Sequence, residues 1–144
     1  MHKIFGAKEN AAYTDRAGAY LIALRDDRIA LVRTPKGYFL PGGGKEANES
    51  DAACIQRECL EETGCSATVR EFLCSAETYC THPAVGYFHP MQNYCIGVLT
   101  EQVAAPTEKD HTLEWIPCDQ AQNILYVEMQ RWAVGVFINR FHNK

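Results

Sequence analysis

Apolar runs along the chain predict most of its elements. Residues 17–24 form an apolar stretch that predicts a strand, and the acidic pair Asp26-Asp27 reads as the turn into a second strand over 29–33. Pro35, Lys36 and Gly37 make a turn, and Tyr38, Phe39 and Leu40 a short extended piece ending at Pro41. Gly42–Gly44 is expected to be a loop, since three glycines weaken any regular element. A helix over Asp51–Thr63 follows, with Ser50 as N-cap, Asp51 suited to the positive helix start and Gly64 as the stop. Further strands are expected over 67–79, 94–100 and 112–116, with an irregular stretch around Thr81, His82 and Pro83. Met129, Trp132, Ala133, Val136 and Phe137 mark one face of an amphipathic C-terminal helix. Strands interleaved with two well-separated helices predict an α/β domain, a mixed sheet covered on both faces.

The first helix changes the picture from fold to chemistry. Wound at roughly 100° per residue from Arg57, it places Glu61 near 40°, Glu58 near 100° and Glu62 near 140°. Ile55, Cys59, Ala52, Leu60 and Ala53 fall on the opposite, apolar arc. The plain alternative is a solvated outer face. However, Glu58, Glu61 and Glu62 repel one another at i,i+3 and i,i+4 spacing, with only Arg57 among them. Such crowding is tolerated where a hard divalent cation neutralises it, and oxygen ligands suit Mg²⁺. The glycine run feeding the helix lets backbone approach a ligand closely, and Glu49 adds a carboxylate at the helix start.

Composition narrows the classes. The chain has 144 residues, 47% hydrophobic and 22% charged, as expected of one soluble domain spanning 1–144. No apolar run approaches the roughly 20 residues that span a bilayer. The N-terminus lacks a signal-peptide stretch, so a cytoplasmic location and reduced thiols are expected for the seven cysteines. A net charge of −4 gives no general attraction to long nucleic acid or acidic lipid.

Gly43, five residues, Glu49, seven residues, Arg57-Glu58, then Glu61-Glu62 and Gly64 resemble the Nudix box of MutT-like hydrolases. The box covers residues 43–65, and Phe39-Leu40-Pro41-Gly42 is similar to the family's approach to it. Cys59 and Cys65 stand where the family usually has bulky aliphatics, and Asn48 where glycine is common. The resemblance implies a Nudix-type α/β/α sandwich with a mixed β-sheet between helices. It also implies hydrolysis of a diphosphate linkage in a nucleoside di- or triphosphate or related derivative, by water attack on phosphorus. Mg²⁺ would be the cofactor, with Mn²⁺ as a substitute. On the same ground Glu58, Glu61 and Glu62 are expected metal ligands, with Glu58 also a candidate base and Glu61 and Arg57 completing the catalytic set. Arg57 would orient a neighbouring glutamate rather than touch substrate. A backbone carbonyl at Gly42 or Gly43 would add to the metal shell, and Glu49 would serve either as ligand or as a brace through Arg57.

Many family members take a further ligand or base from a late loop, and Glu108 and His111 are the candidates here. For substrate, the expectation is Arg33 with Gly42, Gly43 and Gly44, and Arg16 and Lys36 as further basic candidates. Tyr79, Tyr87 and Phe88 are candidates for base stacking, whereas Tyr94 is expected in the core. A small nucleotide is the expected partner. Open alternatives are a dinucleoside polyphosphate substrate and a non-catalytic nucleotide sensor on the same fold. The C-terminal helix would cover the sheet or serve a homodimer contact.

Overall fold

Strand pairing extends the apolar runs well beyond their sequence limits. In the computed structural model, which describes residues 1–142, the elements run as follows. They are β1 (His2–Phe5), β2 (Thr14–Arg25), β3 (Arg28–Thr34), β4 (Gly37–Phe39), β5 (Gly42–Gly44), α1 (Asp51–Thr63) and β6 (Cys65–Thr78). After these come β7 (Cys80–His82), β8 (Gly86–Gln102), β9 (Thr112–Pro117), α2 (Cys118–Ile124) and α3 (Glu128–Phe137). The strands join in the order β1-β6-β8-β2-β3-β4, with β5 on β2, β7 on β8 and β9 on β3. The sheet is mixed: β2 runs parallel to β8 from Thr14↔Phe88 to Ala23↔Gly97, while β6 runs antiparallel to β8. Asp26 and Asp27 both take positive φ, at 49° and 65°, which a two-residue hairpin of this hand requires.

The alternation of side chains along each strand divides the core between two faces. Ala19, Leu21 and Ala23 of β2 and Cys95 and Leu99 of β8 pack beneath Cys54, Ile55 and Cys59 of α1. On the other face Ile22 and Tyr94 meet Ala121 of α2 and Met129, Ala133 and Phe137 of α3. The result is the expected α/β/α sandwich. Among the described residues no helix is long and apolar enough to cross a membrane. All seven cysteines carry free thiols.

Four expectations are corrected. The glycine run is not a loop but a strand, paired antiparallel to β2 through Gly18↔Gly44, Ala19↔Gly43 and Tyr20↔Gly42. Glycine is needed there for closeness: a Cβ on Gly42, at φ +142°, would lie 2.3 Å from the Ala19 carbonyl oxygen. The irregular stretch at Thr81-His82-Pro83 is a β-hairpin, since Cys80, Thr81 and His82 pair with Phe88, Tyr87 and Gly86. Pairing with β2 and β6 carries β8 far beyond residues 94–100. A third helix, α2, separates β9 from α3 and is too short to leave a periodic signal. The expected apolar face of α3 is present, yet Gln130 is buried within it, and its Oε1 accepts the Leu40 N–H at 2.8 Å. That bond fixes the chain just before the glycine strand.

Gly64 ends α1 in the left-handed conformation at φ +73°, and a Cβ there would stand 2.0 Å from the Ala104 carbonyl oxygen. Gly64→Ala should therefore lower stability by at least about 1–2 kcal/mol, several degrees in melting temperature. Thermal unfolding checks this, and an unchanged midpoint would contradict the packing described.

Candidate active site

Helix α1 does not seat as its apolar arc predicts. Ser50 Oγ accepts the Ala53 N–H at 3.1 Å and the Gly64 N–H reaches the Leu60 carbonyl, so both ends are capped as expected. The buried side chains, however, include Cys54, Ile55, Cys59 and Glu62, while Leu60 is 42% exposed and Ala53 is exposed. The helix is rolled so that part of its acidic face turns inward. Glu62 is only 9% exposed, and the Glu58 side chain 17%.

The inward face meets β5. Glu62 Oε1 accepts the Gly42 N–H at 3.0 Å. A Cβ on Gly43 would come within 2.6 Å of the Glu58 carboxyl carbon, so any side chain there would push that carboxylate aside. Cys54 is small enough to sit beneath, its thiol donating to the Gly43 carbonyl at 3.3 Å. Burial pushes the Glu62 carboxyl up to about 8, aided by the negative charges of Glu58, Glu108 and Glu61 against the Gly42 hydrogen bond. Burial likewise raises Glu58, although Arg57 works against it.

Arg57 holds the loop to the helix. Its Nε donates to Glu49 Oε2 at 2.7 Å and its Nη2 to Glu49 Oε1 and the Gly44 carbonyl, both at 2.9 Å. Nη1 reaches Glu58 Oε1 at 2.9 Å and Glu61 Oε2 at 3.4 Å. The forked bonds from Arg57, with the Glu46 N–H, hold the Glu49 carboxyl down near 2. Both Glu49 oxygens are thus engaged, which is the geometry of a brace rather than of a ligand.

The late loop is drawn to the same place. The Thr107 and Glu108 N–H groups both donate to the Glu61 carbonyl, at 2.9 and 3.0 Å. Glu108 thereby adds its charge to Glu58 and Glu62. His111 lines a cavity with Glu62, Gly42 and Tyr20. Arg33 is not brought in: its Nε pairs with Glu114 at 2.7 Å, and it lines neither cavity beside Gly42. The basic residues that border the site are Arg16 and Lys36, in a cleft of about 750 Å³ on the α3 face. Phe88 lines that cleft, but Tyr79 lies flat against His89 at 4.3 Å, Tyr87 meets Tyr13, and Tyr94 is in the core as expected. Tyr20, which borders both cavities, had no distinguishing signal in sequence beyond its place in an apolar strand.

The donor set suits a hard divalent cation: carboxylate oxygens from Glu58, Glu61, Glu62 and Glu108, crowded beside one guanidinium, with one of them buried. Among the described residues no three of these groups stand ready in metal-holding geometry. Arg57 draws Glu58 and Glu61 to itself, and Gly42 occupies one oxygen of Glu62.

A model of the NUDIX domain family matches residues 13–141. The chain belongs to the Nudix family. As a Nudix pyrophosphohydrolase it acts on small nucleotides built on a nucleoside diphosphate. The fold agrees with solved Nudix structures. The MutT protein of Bacillus halodurans is 20% identical, with a TM-score of 0.66, over 83% of this chain and 80% of its own. A MutT NUDIX hydrolase of Burkholderia pseudomallei is 22% identical, with a TM-score of 0.67, over 85% and 97%. A UDP-X diphosphatase is 22% identical, with a TM-score of 0.62, over 90% and 66%. A comparison with curated protein sequences finds no match.

In this Nudix site Glu62 sets a pH dependence. Its folded value near 8 lies above the ordinary 4.5, so the folded state holds a proton that the unfolded chain has released. Stability without divalent ions should therefore fall as pH rises from about 4.5 to about 8, and level off above. Glu62→Gln should flatten this part of the profile. Parallel melting curves of wild type and variant from pH 5 to 9 check it, and identical slopes would contradict the burial of this carboxylate.

Proposed function

We propose that this chain is a Mg²⁺-dependent hydrolase that cleaves the diphosphate linkage of a nucleoside di- or triphosphate, or a related nucleoside diphosphate derivative, by attack of water on phosphorus. The observation that carries the reading is the pair Glu58 and Glu62, pressed against the Gly42–Gly44 strand at the edge of a cleft bearing Arg16 and Lys36. Glu58, Glu61 and Glu62, with Glu108 and the Gly43 carbonyl, would hold the metal. Bound there, Mg²⁺ offsets diphosphate charge and lowers the pKa of water.

The side chains divide the remaining work. Glu58 is the candidate base, because burial raises its proton affinity while Arg57 keeps it oriented. Arg57 and Glu49 keep the glycine strand and helix in register, so the carboxylates stay opposed to the backbone that faces the diphosphate. Lys36, which shares a cavity with Glu62, Gly42 and His111, and Arg16, in the neighbouring cleft, supply charge toward phosphate oxygens. The missing side chains of Gly42 and Gly43 let β5 lie close against β2 and against the Glu58 carboxylate, which keeps the acidic cluster beside the strand.

Three results are expected. With Mg²⁺ or Mn²⁺, a panel of nucleoside di- and triphosphates, dinucleotides and nucleotide sugars should yield cleavage products. Glu58→Gln, Glu61→Gln and Glu62→Gln should each lower kcat at least about a hundredfold in folded proteins. Millimolar Mg²⁺ should also raise the melting temperature, since it relieves repulsion present only in the folded cluster. Full turnover in all three variants would overturn the assignment.

A further inference from the structure

The cleft on the α3 face contains one polar group whose direction is fixed from below. Tyr94 lies wholly inside the core, at 0% exposure, and its hydroxyl donates to Oε1 of Gln92 on the same strand. Residues two apart share a strand face, so Gln92 stands beside Tyr94 and lines the cleft. Turning the amide over would set Nε2 against the phenol and leave a buried hydroxyl proton with no acceptor, a costly arrangement. The oxygen therefore stays inward and the Nε2 hydrogens face outward. They have no acceptor among the described residues, and Gln92 is half-buried at the cleft wall.

The surroundings define what those hydrogens meet. Phe39, Phe88 and Tyr126 give the cleft apolar walls, with Phe39 and Tyr126 tilted against each other at 5.6 Å. No carboxylate lines it among the described residues, whereas Arg16 and Lys36 do. Neither cation has an acidic partner among those residues, unlike Arg33, Lys45 and Arg57. Arg16 crosses over Gly44, its Nε 2.5 Å from where a Cβ would stand. A nucleotide with its phosphates beside Arg16 and the glycine strand would place its base in this cleft, whose lining includes Phe39, Phe88 and Gln92.

We infer that Gln92 reads the base: its outward amide hydrogens select a nucleobase that presents a ring carbonyl, as hypoxanthine does, over adenine, which presents an amino group at the same position. The inference rests on the proposed nucleotide hydrolase reading for the placement of the phosphates. Tyr94 is a positioning residue that holds the amide in its donating orientation. Adenine would leave the Gln92 hydrogens facing another donor, an unpaired contact that a matched base avoids.

Inosine and adenosine nucleotides test this, since they differ at that ring position. The wild type should favour ITP over ATP by about tenfold or more in kcat/KM, mainly through KM. Calorimetric titration should show the same order for IMP over AMP, neither of which carries an anhydride to cleave. Gln92→Glu keeps an acceptor for Tyr94 but replaces the outward donor by an acceptor, so the preference should invert. Tyr94→Phe frees the amide to turn, and the ratio should collapse toward unity while ITP is still hydrolysed. Equal handling of ITP and ATP by wild type, or an unchanged ratio in Gln92→Glu, would overturn the inference. Base-selective IMP binding without Mg²⁺-dependent cleavage of any nucleotide would instead support it and sink the hydrolase reading.

Discussion

Glu62 is a carboxylate set against bare backbone, and much of the structure around it exists to make that contact possible. Its oxygen takes the Gly42 N–H, its neighbour Glu58 occupies the space a side chain on Gly43 would need, and its own burial disfavours ionisation. A helix buries a glutamate in this way only if the group keeps its proton or something else stabilises its charge. Arg57 does part of that, since its guanidinium touches Glu49, Glu58 and Glu61 together. It leaves Glu62, deepest of the group, without a cationic partner among the described residues. A Nudix domain that handles diphosphates beside a hard cation has a use for this surplus of negative charge.

The same contact organises the two faces of the sheet. Seating α1 on Ala19, Leu21 and Ala23 brings its carboxylates to one side of the glycine strand. The other side opens on the cleft beneath α3, whose position is tied to the strand by the bond from Leu40 to Gln130. Lys36 bridges the two, lining one cavity with Glu62 and Gly42 and the neighbouring cleft with Arg16. Phosphates held beside Gly42 and Lys36 would lie within one cavity with Glu62, with Arg16 in the adjoining cleft. The base would extend along β8 toward Gln92.

The helix and its caps were legible in sequence because Ser50, Asp51 and Gly64 act locally, and the spacing from Gly43 to Gly64 carried the family. The roll of α1 was not, because an apolar arc ignores what bare backbone offers: Glu62 turns inward to take the Gly42 N–H, Glu58 fills the space a Gly43 side chain would need, and Leu60 is left 42% exposed. The glycine run itself was misread for a related reason. Propensity weighs a residue alone, whereas β5 is ordered by its pairing with β2. The outer half of β8 and the short β7 gained their structure from partners as well. Arg33 looked suited to phosphate from its place at a strand end, but Glu114, facing it from β9, already holds it. Gln92 and Tyr94 became informative only as a pair, through a hydrogen bond that sequence does not display.

Direct binding of Mn²⁺, followed by electron paramagnetic resonance in the absence of nucleotide, tests the claim at the centre of this account. Saturable binding in the wild type should weaken at least about tenfold in Glu58→Gln and in Glu62→Gln, yet persist in Glu114→Gln, whose carboxylate is bound to Arg33. Equal Mn²⁺ affinity in the wild type and in a Glu58→Gln, Glu62→Gln double variant would contradict it.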